Sequence, residues 1–292
     1  MATATTTRRM SGREWLLRAT TGSSAQVREV VALDGSLRRP LPTPCVVGVV
    51  QAAGGAGATT LTAGLGALFA ARRRGIILAV DAAAGEAALA RATGVADPIE
   101  LAAGVTVAGG SPRDAIRASL PTGEVGVSVL GAGTAGGYRR PVTHEGWASA
   151  VAPVGDHVEI VLTDWGVRRE VAEVDAIART HDVCIVVARA DQEAASMCGP
   201  LVHALAGRTG VVLALVDVGG TARPPWGTLR MVEDDWAGEM SALGLPVPVV
   251  VVPHDPATGR AGVVVLERTR SAVRLAWGRV AAAALELAGG GA

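Results

Sequence analysis

The amino-acid sequence predicts an α/β fold, with a mostly parallel sheet and helices on both of its faces. The first observation is composition: 49% of the 292 residues are hydrophobic, only 3% are aromatic, and 38 are glycine. Such a core of valine, alanine and leucine is typical of parallel strands that are buried on both faces. The second observation is that runs of β-branched residues alternate with alanine-rich stretches, which indicates successive βαβ units.

Seven strands and five helices are predicted in chain order. The strand-like runs lie at residues 46–50, 76–80, 125–130, 158–163, 183–187, 211–216 and 249–252. Helices are predicted at residues 59–72, 83–92, 170–180 and 192–206, and a last helix from about 270 to 287 precedes three glycines that end it. Because most strands are followed by a helix, the strands are expected to run parallel.

A chain of this length can bury one large core, so a single domain is predicted. Residues 1–40 are expected to form a partly disordered N-terminal extension, with one short helical patch near Trp15, Leu16 and Leu17. The α/β domain is expected to span residues 41–288, and residues 289–292 to form a tail. No internal repeat is visible in the sequence.

Charge and cysteine usage restrict the classes of partner. Twenty-seven basic residues balance 27 acidic residues, so no net charge favours nucleic acid or an anionic membrane, and we expect no specific nucleic-acid partner. All of the basic residues are arginine, because the chain has no lysine. The cysteines Cys45, Cys184 and Cys198 are odd in number and widely spaced, which argues against a disulfide framework or a zinc site. We expect a reducing, cytoplasmic setting.

Residues 41–71 contain no charged side chain and are long enough to cross a bilayer. However, Pro42, Pro44 and a cluster of glycines and threonines would break a membrane helix. The segment divides into a strand, a loop and a helix instead, so no transmembrane segment is expected.

That strand, loop and helix form a candidate phosphate-binding loop. Glycines allow the backbone N–H groups to curl around an anion, and the dipole of the following helix adds to the attraction. The candidate nucleotide-binding residues are Gly54, Gly55, Ala56, Gly57, Ala58, Thr59 and Thr60. A common phosphate loop ends in Gly-Lys-Ser/Thr, where lysine contacts the β- and γ-phosphates and the hydroxyl binds Mg²⁺. Here Ala58 occupies the lysine position and Thr59 the magnesium position. A tight strand-to-helix turn without a ligand is the open alternative.

Residues 53–60 resemble the deviant phosphate loop of the MinD/ParA family of SIMIBI-class P-loop proteins, which reads Lys-Gly-Gly-x-Gly-Lys-Thr-Thr. They match it at every position except the two lysines, which Ala53 and Ala58 replace. The similarity extends over residues 11–287. It implies a P-loop NTPase fold, with ATP or ADP and Mg²⁺ as the expected ligand.

Two further segments resemble the switch segments of that family. Asp81, Ala82 and Ala83 are similar to an Asp-x-Asp-Pro segment in which Ala83 replaces the aspartate that positions water. Asp164 follows a buried strand, as does the Walker B aspartate that orients Mg²⁺. The resemblance therefore implies Thr59 and Asp164 as magnesium residues, with Asp81 as a further candidate. Alternatively, the two aspartates only cap helices or loops.

Ala53, Ala58 and Ala83 stand at three positions that perform chemistry in the family, so hydrolysis is expected to be lost and no catalytic residue is predicted. The three arginines at residues 72–74 cannot replace the lysines, because a helix that rises 1.5 Å per residue places them ~20 Å from the loop.

Three segments also resemble the actinobacterial MinD-like proteins that accompany type VII secretion. They are Trp15-Leu16-Leu17-Arg18-Ala19-Thr20-Thr21-Gly22, Arg39-Pro40-Leu41 and Val250-Val251-Val252-Pro253-His254-Asp255-Pro256. This resemblance implies a protein partner in a secretion assembly.

The function predicted from these features is a pseudo-ATPase that acts as a binding or scaffolding subunit, with weak nucleotide binding and a homodimer as open properties. The first alternative is a functional ATP-dependent dimerisation switch, an ATPase with an arginine supplied by a partner. The second is a dinucleotide-binding oxidoreductase, based on Gly131, Gly133 and Gly136. It is disfavoured because residues 138–141 end in a proline where a helix should begin.

The last predicted helix carries Val273, Trp277, Val280 and Ala281 on one side. Contact with a membrane surface and packing against the sheet are the two interpretations, and packing is favoured because the polar face is short.

Overall fold

The structure is a computed structural model that describes residues 24–41, 44–83, 88–96, 98–100, 112–131, 141–220, 226–245, 247–258 and 262–290. Within these ranges eight strands form one sheet in which every neighbouring pair is parallel. The strands in chain order are β1 Cys45–Gln51, β2 Ile77–Asp81, β3 Ile99–Glu100, β4 Ser128–Gly131, β5 Ile160–Val167, β6 Val183–Arg189, β7 Gly210–Val216 and β8 Val249–Val252. Their spatial order is β3-β4-β2-β5-β1-β6-β7-β8.

The helices lie between the strands and at the two ends of the described chain. They are α1 Ser24–Arg38, α2 Ala58–Arg72, α3 Ala88–Thr93, α4 Pro112–Ser119, α5 His144–Val151, α6 Val171–Thr180, α7 Gln192–Ser196, α8 Gly199–Ala206, α9 Trp226–Ala242 and α10 Ser271–Gly289, with a 3₁₀ turn at Gly155–His157. The sheet and its flanking helices confirm the predicted fold class.

Each of the seven predicted strands is present, because β-branched runs buried on both faces are a strong local signal. The prediction missed β3, an edge strand of two residues that pairs with the end of β4. A strand this short carries too few side chains to show a pattern.

The single helix predicted at residues 192–206 is wrong, because two helices, α7 and α8, form there. Pro200 lies in the first turn of α8. Proline has no backbone N–H and its ring clashes with the carbonyl four residues earlier, so it is tolerated at a helix start and breaks a helix interior.

Helix α1 lies in the segment that was expected to be an extension, and it packs on α10. Two ion pairs join it to the rest of the chain: Arg279 Nε lies 2.6 Å from Glu29 Oε1, and Arg72 Nε lies 2.8 Å from Asp34 Oδ1. The helical patch predicted near Trp15 lies outside the described residues. Helix α1 is therefore part of the packed structure.

The sheet separates two apolar clusters. One cluster is formed with α2, α3 and α10, and the other with the helices that include α5, α6, α8 and α9. Trp277 of α10 packs directly on Gly64 of α2, where a Cβ atom would lie 2.7 Å from the indole ring. The apolar side of α10, including Val273 and Val280, is buried in this cluster. This burial agrees with the interpretation in which the last helix packs against the sheet.

No helix in the described parts of the chain combines the length and the apolar character that crossing a bilayer requires. The three cysteines are all buried and unbonded to one another. Burial raises the pKa of the Cys45 and Cys184 thiols to about 12 and that of Cys198 to about 11.

Candidate functional site

The candidate phosphate loop connects the carboxyl end of β1 to the first turn of α2. Gly55 and Gly57 adopt left-handed backbone conformations, with φ of 76° and 89°, which favour glycine because a Cβ atom is strained there. A Cβ atom on Gly57 would also lie 3.3 Å from Val216 Cγ1. Gly54 and Gly55 are exposed, and no atom lies within 4 Å of the position that a Cβ atom would take on either. The outer side of the loop is therefore open.

The alanines at the two lysine positions bring no charge to this loop. Ala58 is the first residue of α2 and is buried, while Ala53 precedes the exposed glycines and is half-buried. The neighbouring Ala56 is buried as well. The loop therefore offers an anion only its backbone N–H groups, the start of α2 and the hydroxyls of Thr59 and Thr60.

Thr59 and Asp164 are brought together by the pairing of β1 with β5. The Thr59 hydroxyl donates a hydrogen bond to Asp164 Oδ2 at 2.5 Å, and the Gly166 N–H donates to Asp164 Oδ1 at 3.0 Å. Burial raises the pKa of Asp164, while the bonds from Thr59 and Gly166 and the nearby Arg168 act to lower it. Hydroxyl and carboxylate oxygens are ligands that Mg²⁺ takes in phosphate-binding proteins, so these two residues fit the ion that the resemblance implies.

Asp81 and Ala83 lie beside this pair. Asp81 is buried and in register with Asp164 on the neighbouring strand, and the Ala82 N–H donates to the Asp164 carbonyl at 3.0 Å. Gly166 has a φ of 61°, and a Cβ atom on it would lie 2.9 Å from Ala83 Cβ. The fold therefore brings the loop and both predicted switch segments together near the carboxyl ends of β1, β2 and β5.

Arg168 holds these switch segments together, and sequence analysis missed it. Its Nη2 donates to the carbonyls of Ala82 and Val142 at 3.0 and 2.9 Å, and its Nε lies 3.0 Å from Glu173 Oε2. Its guanidinium carbon lies 5.2 Å from the centre of the Trp165 ring. Burial lowers the pKa of Arg168, and Glu173 and Asp164 act to raise it. No sequence pattern identifies this role, because the carbonyls that it binds come from distant segments.

The arginines at the end of α2 lie at the opposite end of that helix from the loop. Arg73 Nη1 lies 2.6 Å from Glu159 Oε1, and its Nη2 donates to the Arg39 carbonyl at 3.0 Å. Arg72 is paired with Asp34 of α1. Both side chains are therefore used in packing the domain, as their distance from the loop predicts.

A cavity of about 90 Å³ adjoins the loop on the side of β7 and β8. Gly57 and Thr60 form its wall on the loop side, and Asp217 lies at the end of β7 on the other. The rest of the lining is mostly apolar, with Leu61, Val216, Val218, Val252, Pro253, Val273 and Trp277. Sequence analysis did not select Asp217, although an acidic residue directly after the buried run 211–216 was a usable signal.

The second glycine pattern begins at Gly131, the last residue of β4. Residues 132–140, with Gly133 and Gly136, lie outside the described residues. Strand β4 is separated from β1 by β2 and β5, so Gly131 is remote from the phosphate loop in the order of the sheet.

Solved structures of MinD and ParA ATPases share this architecture. Cell division ATPase MinD from Pyrococcus furiosus is 22% identical with a TM-score of 0.55, and the match covers 81% of this chain and 98% of that chain. MinD in the MinC:MinD complex of Aquifex aeolicus is 18% identical over 81% and 94% of the two chains, with a TM-score of 0.55. The septum site-determining protein MinD of Pyrococcus horikoshii, solved with Mg-ADP, is 18% identical over 82% and 94%, with a TM-score of 0.52.

These structural similarities show the fold, which is that of the MinD/ParA P-loop NTPases. No family model and no curated protein sequence matches the chain.

Proposed function

We propose that the chain is a MinD/ParA-like nucleotide-binding protein that has lost hydrolysis and acts as a binding or scaffolding subunit. The observation that carries this proposal is an open phosphate loop in which the backbone is kept and the charge is gone. Gly55 and Gly57 adopt left-handed backbone conformations, while Ala58 stands at the lysine position.

The remaining groups suit binding better than they suit phosphoryl transfer. Backbone N–H groups and the dipole of α2 attract phosphate in any of its states. A lysine, by contrast, stabilises charge that develops in the transition state, and removing one such donor costs ~10²–10³-fold in rate. Because Ala53, Ala58 and Ala83 replace three groups that act together, the loss in rate exceeds the loss in affinity.

Magnesium fits the pair formed by Thr59 and Asp164, which would hold the ion and orient it toward the phosphates. ATP or ADP is the ligand implied by the resemblance, and a MinD of the same fold was solved with Mg-ADP. The loop itself would contact only the phosphates, which all nucleotides share.

Isothermal titration calorimetry of the full chain with ATP and ADP, with and without Mg²⁺, tests this proposal. We expect binding in the micromolar to millimolar range that weakens when Mg²⁺ is omitted. Thr59→Val removes the hydroxyl at nearly constant volume and should abolish the dependence on Mg²⁺, whereas Thr59→Ser should keep it. The absence of any binding at millimolar nucleotide would overturn the proposal.

A second candidate function is an ATP-dependent dimerisation switch in which a partner chain supplies an arginine in place of the lysines. It is favoured by the open space beside Gly54 and Gly55, through which a second chain could reach the phosphates. Light scattering with and without ATP and Mg²⁺ distinguishes the two candidates. A nucleotide-dependent dimer would support the switch, and an unchanged mass would support the scaffold.

The assembly that we propose resembles type VII secretion. Its support is the similarity of residues 250–256, whose turn contributes Pro253, His254 and Asp255 to the cavity beside the loop. Crosslinking in a type VII secreting host, followed by affinity purification, tests this part. Enrichment of secretion components is the expected result, and their absence from the crosslinked material would argue for another pathway.

A further inference from the structure

Arg168 joins three segments of the chain at one buried point. Its side chain is 3% exposed, and its Nη2 atom, which carries two N–H groups, donates to the carbonyls of Ala82 and Val142 at 3.0 and 2.9 Å. Its Nε lies 3.0 Å from Oε2 of Glu173, in the first turn of α6. The planar guanidinium holds these donors in a fixed geometry. Arg168 therefore fixes the end of β5 relative to residue 82, residue 142 and α6.

The backbone of Ala82 links Asp164 to Val142. The Ala82 N–H donates to the Asp164 carbonyl at 3.0 Å, and the Ala82 carbonyl accepts from the Val142 N–H at 3.0 Å. The same carbonyl accepts from Arg168. A carbonyl oxygen has two lone pairs, so both are used here. A continuous path of hydrogen bonds consequently runs from the backbone of Asp164 through Ala82 to Val142, and Arg168 closes it.

This path of hydrogen bonds ends where α5 begins. Thr143 directly follows Val142 and caps α5, because its Oγ1 accepts a hydrogen bond from the Gly146 N–H at 3.2 Å. Thr143, Glu145 and Gly146 are exposed. A change in the position of Val142 would therefore alter a surface that a partner can contact.

We propose that Arg168 couples ligand binding at the phosphate loop to the start of α5. A nucleotide held with Mg²⁺ by Thr59 and Asp164 would restrict the motion of the end of β5. The hydrogen bonds of Arg168 extend this restriction to residue 82 and to Val142. Ligand binding and order at the start of α5 then stabilise one another, because a coupling free energy between two sites is reciprocal. In this role Arg168 is a positioning residue that acts through Asp164 and Ala82.

This inference rests on the proposed function, because it needs a ligand at the loop. Hydrogen exchange of the full chain with and without Mg²⁺ and ADP tests both, and mass spectrometry of fragments separates the Val142 amide from the loop amides of residues 54–60. We expect saturating Mg-ADP to slow exchange at the loop, and to slow exchange of the Val142 amide ~5-fold or more, the low end of typical couplings between sites.

Two other outcomes of this exchange experiment are distinguishable. Slowed exchange at the loop with an unchanged Val142 amide would overturn the coupling and leave nucleotide binding standing. No binding of ADP would overturn the proposed function as well.

Arg168→Gln removes the guanidinium and tests whether the coupling runs through this residue. Trp147 Nε1 donates to Thr163 Oγ1 at 2.9 Å, which holds α5 on the sheet without Arg168. At ligand concentrations that saturate each protein, we expect this variant to keep the slowed exchange at the loop and to lose it at Val142. Equal slowing at Val142 in the variant and the wild type would contradict the inference.

Two further variants complete the comparison. Arg168→Lys keeps the positive charge beside Glu173 but lacks the planar fork that bridges two carbonyls. It should also lose the slowed exchange at Val142, and it provides the test if Arg168→Gln does not fold. Arg179→Gln makes the same change on α6, at a side chain that is 60% exposed and paired with Asp175, and should respond as the wild type does. A loss at Val142 in Arg179→Gln as well would overturn the assignment to Arg168.

Discussion

At the scale of single residues, the phosphate loop differs from that of the family it resembles by two side chains. Ala53 and Ala58 replace the lysines, while the glycines that set the backbone are kept. A lysine at the start of α2 would contact the phosphates as a point charge in a site where charge interactions are stronger than in water. In the proposed function, the two alanines remove charge from the loop and leave the glycines that set its backbone in place.

Restoring the lysine should restore affinity. We expect Ala58→Lys to bind nucleoside triphosphates at least ~10-fold more tightly than the wild type, because a charge-assisted contact contributes about 1.5–3 kcal/mol. Calorimetry measures the change. Gly207→Lys adds the same charge at an exposed helix end with open space around it, and should leave the affinity unchanged. A folded Ala58→Lys protein with unaltered affinity would argue against phosphate binding at this loop.

His181 gives the chain a defined dependence on pH. It is buried, accepts a hydrogen bond from Trp165 Nε1 at 3.2 Å, and stacks on Trp147. Burial lowers the pKa of His181 from 6.5 to about 3. Between pH 6.5 and about 3, the His181 imidazole is protonated in the unfolded chain and neutral in the folded chain. The free energy of unfolding should therefore fall as pH is lowered, by about 1.4 kcal/mol per pH unit from this group.

Urea denaturation at pH 7, 6 and 5 measures this slope. The raised pKa of Asp164 acts in the opposite direction above pH 3.8, because its protonated form is favoured in the folded state. The comparison is therefore made between variants. The free energy of unfolding of His181→Gln should fall less at low pH than that of the wild type. His203→Gln changes an exposed side chain, and its free energy of unfolding should fall as much as that of the wild type. Identical slopes in His181→Gln and the wild type would contradict the assignment.

At the scale of helices and strands, close packing of α10 on α2 positions the loop. Gly64 lets the Trp277 indole approach the backbone of α2. We expect Gly64→Ala to lower the free energy of unfolding by about 1–3 kcal/mol, because the added methyl overpacks a fixed aromatic ring. Gly35→Ala places the same methyl in α1 where nothing lies within 4 Å, and should raise stability by about 0.5–1 kcal/mol. Chemical denaturation measures the free energy of unfolding of both variants. An unchanged value in Gly64→Ala would show that Trp277 does not pack tightly on Gly64.

The strands could be predicted from sequence because their runs of valine and leucine are buried on both faces. Several helices could not. Helices α1 and α9 contain glycines at Gly35 and Gly238, which weaken the local preference for a helix. They form because tertiary contacts support them, as the ion pairs of Glu29 and Asp34 do for α1. The break before α8 was missed because the apolar pattern continues through it, while Pro200 decides the outcome.

The residues of the candidate site also fall into two groups: those that the sequence could identify and those that it could not. Its loop is contiguous in sequence, so the glycines and Thr59 could be selected without a structure. Asp164 followed from the resemblance, and it accepts a hydrogen bond from the Thr59 hydroxyl at 2.5 Å. Arg168 binds partners that are distant in the chain, the Ala82 and Val142 carbonyls. Only the folded arrangement reveals this role.

At the scale of the whole molecule, a sheet with the MinD/ParA fold carries a candidate phosphate loop that has no lysine. The parallel sheet places the loop, both switch segments and the cavity at the carboxyl ends of adjacent strands, where α/β proteins bind their ligands. In the proposed function this arrangement holds a nucleotide, while alanine stands at Ala53, Ala58 and Ala83, the three positions where the resemblance implies groups that accelerate hydrolysis. The account therefore predicts binding without turnover.

The release of radiolabelled phosphate from ATP in the presence of Mg²⁺ tests this claim most directly. Asp164→Ala is the reference, because it removes the carboxylate that would orient the metal ion. We predict that the purified wild type releases phosphate no faster than Asp164→Ala while still binding nucleotide in calorimetry. Turnover by the wild type that disappears in Asp164→Ala would contradict the account.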